Sequence, residues 1–135
     1  MILKGKQVLV FGAAKSGISA AKLLQKAGAA VVLYEERKDF DITKFYGKID
    51  TGENFRAYFG DFPLDLLDEI DLMIISPGIA LEHPFVKKVQ ERNIPVWGEL
   101  ELAYRFAKGK IIGITGTNGK TTTTSLAGEI IKTYY

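Results

Sequence analysis

Four short stretches, "KQVLVF" (6–11), "AVVLY" (30–34), "DLMIIS" (71–76) and "IPVWG" (94–98), carry unbroken apolar runs. A strand with one wet face alternates apolar and polar residues, whereas an unbroken run suits a strand covered on both faces. Between the first two runs the period changes. Ala20, Leu23, Leu24 and Ala27 share one helical face, and Gly28 follows as a C-cap. Pro84 suits the first turn of another helix, with Val86 and Val89 inward and Phe85 beside them. Strands alternating with helices in this way predict an α/β fold, a parallel sheet with helices on both faces. Residues 35–69 are less regular: "GENFRAYFG" is read as a short helix and "PLDLLDEI" as a helical turn.

With 135 residues, 47% of them hydrophobic, the chain is long enough for one ordinary domain with a real core. Its 18 basic and 16 acidic residues are interspersed without a basic block, so nucleic acid is not an expected partner. The absence of cysteine excludes a disulfide framework and a thiolate metal site. The run "VLVFGAA" is too short to span a bilayer. A soluble, cytoplasmic protein with no membrane insertion is expected.

The pattern starts afresh near residue 108. "GELELAYRFAKGK" places Leu100, Ala103, Tyr104 and Ala107 on a helical stripe, "IIGIT" (111–115) reads as a buried strand, and Leu126, Ala127, Ile130 and Ile131 form one face of a last helix. One strand and one helix cannot bury each other, so this reads as the start of a truncated second α/β domain. The expected organisation is a first domain over 1–93, a connecting strand and helix over 94–109, and the start of the second domain over 110–135.

Two turns at strand ends stand out. "GAAKSG" (12–17) resembles the dinucleotide fingerprint G-x-G-x-x-G, with Ala14 at the middle glycine, and Glu35 lies where that fingerprint places its ribose-binding acid. The same residues also suit a tight strand-to-helix turn with no ligand. In "SPGIALEHP", Pro77 fixes φ and Gly78 permits positive φ, which predicts a sharp turn after Ser76. Two such corners on one sheet edge, near Glu35-Glu36-Arg37, favour a ligand that spans them.

The third loop is "GTNGKTT", Gly116, Thr117, Asn118, Gly119, Lys120, Thr121 and Thr122. It lacks the first glycine of the strict P-loop, since position 114 is Ile, but keeps the Gly-Lys-Thr core between an expected strand and helix. Backbone N–H groups at a helix N-terminus converge on anionic oxygens. Lys120 adds a charge for terminal phosphates, and the Thr121 hydroxyl is a ligand for Mg2+. This is read as an ATP site.

The lone His83 has no second His or Cys with which to share a metal, and is read as a loop or helix-start residue. Phe40, Phe45, Tyr46, Phe55, Tyr58, Phe59 and Phe62 are read as a satellite core rather than a base-stacking platform. Trp97 is read as packing.

The near-fingerprint first turn, the acidic-x-Arg after the second strand, "SPGIALEHP", "GELEL" and "GITGTNGKTT", in this order, resemble the Mur ligases. "GTNGKTT" is shared with folylpolyglutamate synthases, while "SPGIALEHP" with "GELEL" points to the D-glutamate-adding branch. The resemblance runs along the whole chain, which matches only the first third or so of such an enzyme. It implies a Rossmann-like first domain that binds the UDP part of UDP-N-acetylmuramoyl-L-alanine. Lys15, Ser16 and Gly17, with Ser76, Pro77 and Gly78, would flank the diphosphate; Glu35, Glu36 and Arg37 would meet uracil and ribose. The family often has Asp-Thr-Arg where this chain has Glu-Glu-Arg. The implied reaction is ATP-dependent amide formation with D-glutamate through an acyl phosphate, in peptidoglycan precursor synthesis. Lys120 and Thr121 would be its catalytic residues here, with Mg2+ at Thr121. The remaining Mg2+ ligands and the D-glutamate pocket are expected beyond residue 135, so these residues alone are expected to be inactive. Two other classes compete: a NAD(P)-binding Rossmann module using Gly12, Gly17 and Glu35, and a stand-alone P-loop phosphotransferase.

Overall fold

The computed structural model describes residues 3–41, 43 and 49–134. Five strands, β1 (Gln7–Phe11), β2 (Ala30–Glu35), β3 (Phe55–Phe59), β4 (Leu72–Ile75) and β5 (Val96–Gly98), form one sheet in the order β3-β2-β1-β4-β5. Every neighbouring pair is parallel. The helices are α1 (Lys15–Lys26), α2 (Pro84–Glu91), α3 (Glu99–Phe106) and α4 (Lys120–Tyr134), and a 3-10 segment covers Leu64–Glu69.

Strand pleating splits the unbroken runs between two cores. Val8, Val10, Val31, Leu33, Leu72 and Ile74 face α1 (Ala20, Ala21, Leu24) and Leu102 of α3. Leu9, Phe11, Val32, Tyr34, Met73 and Ile75 face Leu67 and the α2 residues Phe85, Val86 and Val89. The expected sheet with helices on both faces is therefore formed, and β5 is its fifth strand.

Three elements differ from the sequence reading. Residues 55–59 are a strand, not a helix. Phe55, Ala57 and Phe59 pack on the α1 side and Tyr58 on the other, an alternation that suits an edge strand with partly wet faces. On α3 the stripe Leu100, Ala103, Tyr104 and Ala107 faces outward, and Leu102 is buried instead. No loop separates Gly98 of β5 from Glu99 of α3, so the strand sets the phase of the helix. Finally, 111–115 is not a strand. Ile111 and Ile112 are exposed and pair with no strand among the described residues, and an apolar run becomes a strand only where another strand accepts its hydrogen bonds. The helix after the loop does form, yet none of its residues is buried.

Phe40, Phe55 and Phe59 pack against one core and Tyr58 and Phe62 against the other, while Phe45 and Tyr46 lie outside the described residues. Trp97 packs on the α1-side core, with the Arg105 guanidinium 4.0 Å over its ring. Among the described residues no helix is long and apolar enough to cross a membrane.

Candidate nucleotide site at the sheet's switch point

After β1 the chain builds outward through β2 and β3, then crosses back to place β4 on the other side of β1. Ligands of open α/β sheets bind outside the carboxyl ends of the strands at such a reversal. The two corners at that point are 12–17 and 76–78.

Gly12 has φ +103°, and a Cβ there would lie 2.6 Å from Ser76 Oγ. A Cβ on Gly17 would lie 2.0 Å from the Gly12 carbonyl oxygen. The first turn of α1 is thus folded hard onto the end of β1, and only glycine fits at 17. α1 starts after Ala14 without a side-chain cap, has no acidic residue in its first turn, and carries exposed Lys15 and Ser16 there. The other helix starts at this edge are different. His83 Nδ1 accepts the Phe85 N–H at the start of α2, and α3 opens with Glu99 and Glu101. Anions are favoured at the bare, basic start and disfavoured beside the carboxylates. Clefts flank α1 on both sides: one of about 570 Å³ reaches Glu99, and one of about 470 Å³ is lined by Lys15, Lys22 and Phe40.

Glu35 ends β2 and is 7% exposed. Its carboxylate accepts the Ala13 N–H at 3.1 Å, the Arg37 N–H at 3.2 Å and the Arg37 Nε at 2.9 Å. Burial pushes its pKa up, but the Arg37 side chain and the two backbone N–H groups outweigh that, leaving it below the usual glutamate value. The residue that the fingerprint reserves for a ribose is here committed to holding the 12–17 corner. Arg37 also lies over the Phe40 ring at 4.9 Å, while Glu36 is exposed.

Ser76 is buried, and its hydroxyl donates to Glu99 Oε1 at 2.7 Å. It wedges Gly12 against the start of α3. Glu99 was not singled out from the sequence; its signal was its place in "GELEL", since the contact spans 23 residues. Pro77 and Gly78 are exposed, and the turn closes through Ile79 N–H to Ser76 C=O at 3.0 Å. The expected turn after Ser76 therefore forms, without Gly78 using the positive φ open to it. A Cβ there would meet nothing within 4 Å.

The loop at 116–122 is exposed throughout. Gly116 and Gly119 have φ of +148° and +77°, the Gly119 carbonyl accepts the Thr123 N–H, and Lys120 Nζ donates to the Gly116 carbonyl. Neither cleft beside α1 includes a residue of this loop.

A family model for the "Mur ligase MurD-like, N-terminal domain" matches residues 6–98. The chain belongs to the MurD-like Mur ligase family. A UDP-N-acetylmuramoylalanine–D-glutamate ligase of Lachnospira eligens is 50% identical over 135 residues, covering 99% of this chain. The ligase of the same name from Lachnoclostridium phytofermentans is 46% identical over 131 residues, covering 97%. The chain spans only 30% and 29% of those two relatives. Among solved structures, a pseudomurein peptide ligase type C from Methanothermus fervidus superposes with a TM-score of 0.61 at 25% identity, over 95% of this chain and 26% of that one. The MurD-like match covers both corners and the Glu35–Arg37 segment.

Proposed function

We propose that the switch-point edge binds the UDP moiety of UDP-N-acetylmuramoyl-L-alanine, as part of an ATP-dependent ligase that adds D-glutamate to it. The observation that carries this reading is the uncapped, acid-free and basic start of α1, clamped at the carboxyl end of β1. The diphosphate lies against the N–H groups of Lys15, Ser16 and Gly17, with the Lys15 side chain above it. Ser76 acts through its wedge on Gly12, while Pro77 and Gly78 leave the second corner open. Uracil and ribose extend toward Glu36 and Arg37.

The second part of the reading concerns 110–135 as the start of an ATP-binding domain, after a UDP-binding unit over 1–93 and a connection over 94–109. Two positive-φ glycines ahead of a 15-residue helix, with no acidic residue in its first turn, fit the phosphates of ATP. Lys120 would meet the terminal phosphates and the Thr121 hydroxyl would join them around Mg2+. Thr121 alone is not a metal site; among the described residues no cluster of His, Cys, Asp or Glu stands ready for one. Bound ATP supplies the activated phosphoryl group; these residues hold it and balance its charge. The reading includes a cytoplasmic setting and a step in peptidoglycan precursor synthesis.

Calorimetric titration with UDP, NAD and ATP in turn tests the site. UDP is expected to bind, and NAD is not, because Glu35 is committed to Ala13 and Arg37 and Ala14 carries a methyl at the fingerprint glycine. ATP is expected to bind more weakly than UDP. Gly78→Ala sharpens the test: with open space around its Cβ, stability should change by less than about 0.5 kcal/mol, while UDP affinity falls. NAD binding tighter than UDP would contradict the reading.

A further inference from the structure

The start of α1 stands between two clefts, and Ala14, Lys15 and Ser19 line both of them. A diphosphate seated on that start can send one substituent into each. One flank holds Phe40, with the Arg37 guanidinium 4.9 Å over its ring, and is the side given above to uracil and ribose. The other flank, between α1 and α3, is the larger at about 570 Å³, and no part of the nucleotide occupies it.

This second cleft has a chemistry of its own. Leu23, Leu102 and Ala103 give it apolar walls, and Lys15 and Ser16 stand where it meets the start of α1. Glu99 is the one acid in its lining. Two contacts tie that acid to the anion corner. Glu99 Oε1 accepts the Ser76 hydroxyl at 2.7 Å, and Ser76 Oγ lies 3.3 Å from the point that a Cβ of Gly17 would occupy. Only one side chain therefore separates the carboxylate from the first turn of α1. Among the described residues Glu99 makes no other hydrogen bond, which leaves one oxygen for a ligand in the cleft. A carboxylate repels a second anion and accepts from a neutral N–H or O–H. Apolar walls beside a single acceptor suit a neutral group that carries a methyl next to a donor, as an acetamido group does.

We infer that the α1–α3 cleft is a sugar subsite: it receives the N-acetylated hexose of the UDP-sugar, with the acetamido N–H donating to Glu99 and its methyl against Leu23 and Ala103. The ligand then straddles the start of α1, with the nucleoside on the Phe40 flank, the diphosphate on the backbone N–H groups and the sugar on the α3 flank. This rests on the UDP reading above. The charge of Glu99 disfavours the substrate's own carboxylate here, so the L-alanyl arm lies outside the cleft.

The test compares UDP, UDP-glucose and UDP-N-acetylglucosamine by calorimetric titration. Wild type is expected to bind the acetamido sugar roughly threefold to tenfold more tightly than UDP-glucose, the effect of one buried methyl or one hydrogen bond. Glu99→Gln still offers Oε1 to Ser76 but puts an amide donor in place of the other oxygen. A sugar hydroxyl turns to suit either group, whereas an acetamido N–H needs the acceptor. The preference should therefore shrink to within about twofold. Ala103→Phe fills the cleft from the exposed side of α3 and should remove the preference as well. UDP titrated against each variant shows whether the diphosphate corner is intact. In wild type, nuclear Overhauser contacts from the acetyl methyl should reach Leu23 and Ala103, and they decide the matter even where a variant no longer binds UDP. A wild type that binds UDP but prefers neither sugar, a preference that survives in either variant, or methyl contacts at Phe40 instead, overturns the subsite and leaves the UDP reading standing. If wild type does not bind UDP, that reading falls and takes the subsite with it.

Discussion

Gly17→Ala is expected to remove about 3–5 kcal/mol of stability, as overpacking against rigid backbone does at the upper end of single substitutions. The new methyl carbon would lie 2.0 Å from the Gly12 carbonyl oxygen and 3.3 Å from Ser76 Oγ. No rotamer change relieves this, because the partner is main chain. α1 must tilt off the end of β1, and that drags Ala20, Ala21 and Leu24 out of the core they share with Val8 and Val31. A domain of this size holds only about 5–15 kcal/mol in all, so a large fraction should be lost. Urea unfolding measures it, with Gly78→Ala as the matched control that adds the same methyl in open space. An unchanged midpoint for Gly17→Ala would mean that the corner is looser than described.

Glu35→Gln is expected to have the second largest effect, and the effect should depend on pH. At neutral pH the variant loses the charged partner of Arg37 and weakens the acceptor of the Ala13 N–H. Weakening a buried charge-assisted network of this kind costs about 1–3 kcal/mol. The folded-state pKa of Glu35 lies below its ordinary value of 4.5. A depressed carboxylate contributes stability that is fully present above the unfolded pKa and is lost as pH falls through the folded one. Wild type should therefore lose stability below about pH 4.5, helped by Asp71, which Lys6 and the Gln7 N–H hold low in the same way. Glu35→Gln should start lower at pH 7 and fall less steeply, so that the two urea midpoints converge as the pH falls through the folded-state pKa of Glu35. Parallel curves would show that Glu35 is not the group that titrates.

Much of this was legible in the chain itself, and the reasons are specific. β1, β2 and β4 were readable because central parallel strands are covered on both faces, so their runs are unbroken. β3 lies at the edge; its Phe-Arg-Ala-Tyr-Phe alternates, and two arrangements of so few residues look alike until a neighbour is known. α3 carries two apolar stripes, and the sequence does not say which one β5 turns toward the sheet. "IIGIT" has the composition of a strand but lacks a partner among the described residues, and pairing is a property of the neighbour as much as of the run. The site followed the same division. The two corners were marked by glycine and proline at strand ends, and the topology brings them together. The Ser76–Glu99 contact joins residues 23 positions apart in side-chain geometry, and no local pattern encodes that.

The most direct test of the central claim is an amide chemical-shift map of the 15N-labelled chain during a UDP titration. The N–H groups of Lys15, Ser16 and Gly17 should shift most and saturate together with Gly78 and Arg37, while the opposite sheet edge around Gln25 and Asp50 stays still. Saturating shifts centred anywhere other than the start of α1 would contradict it.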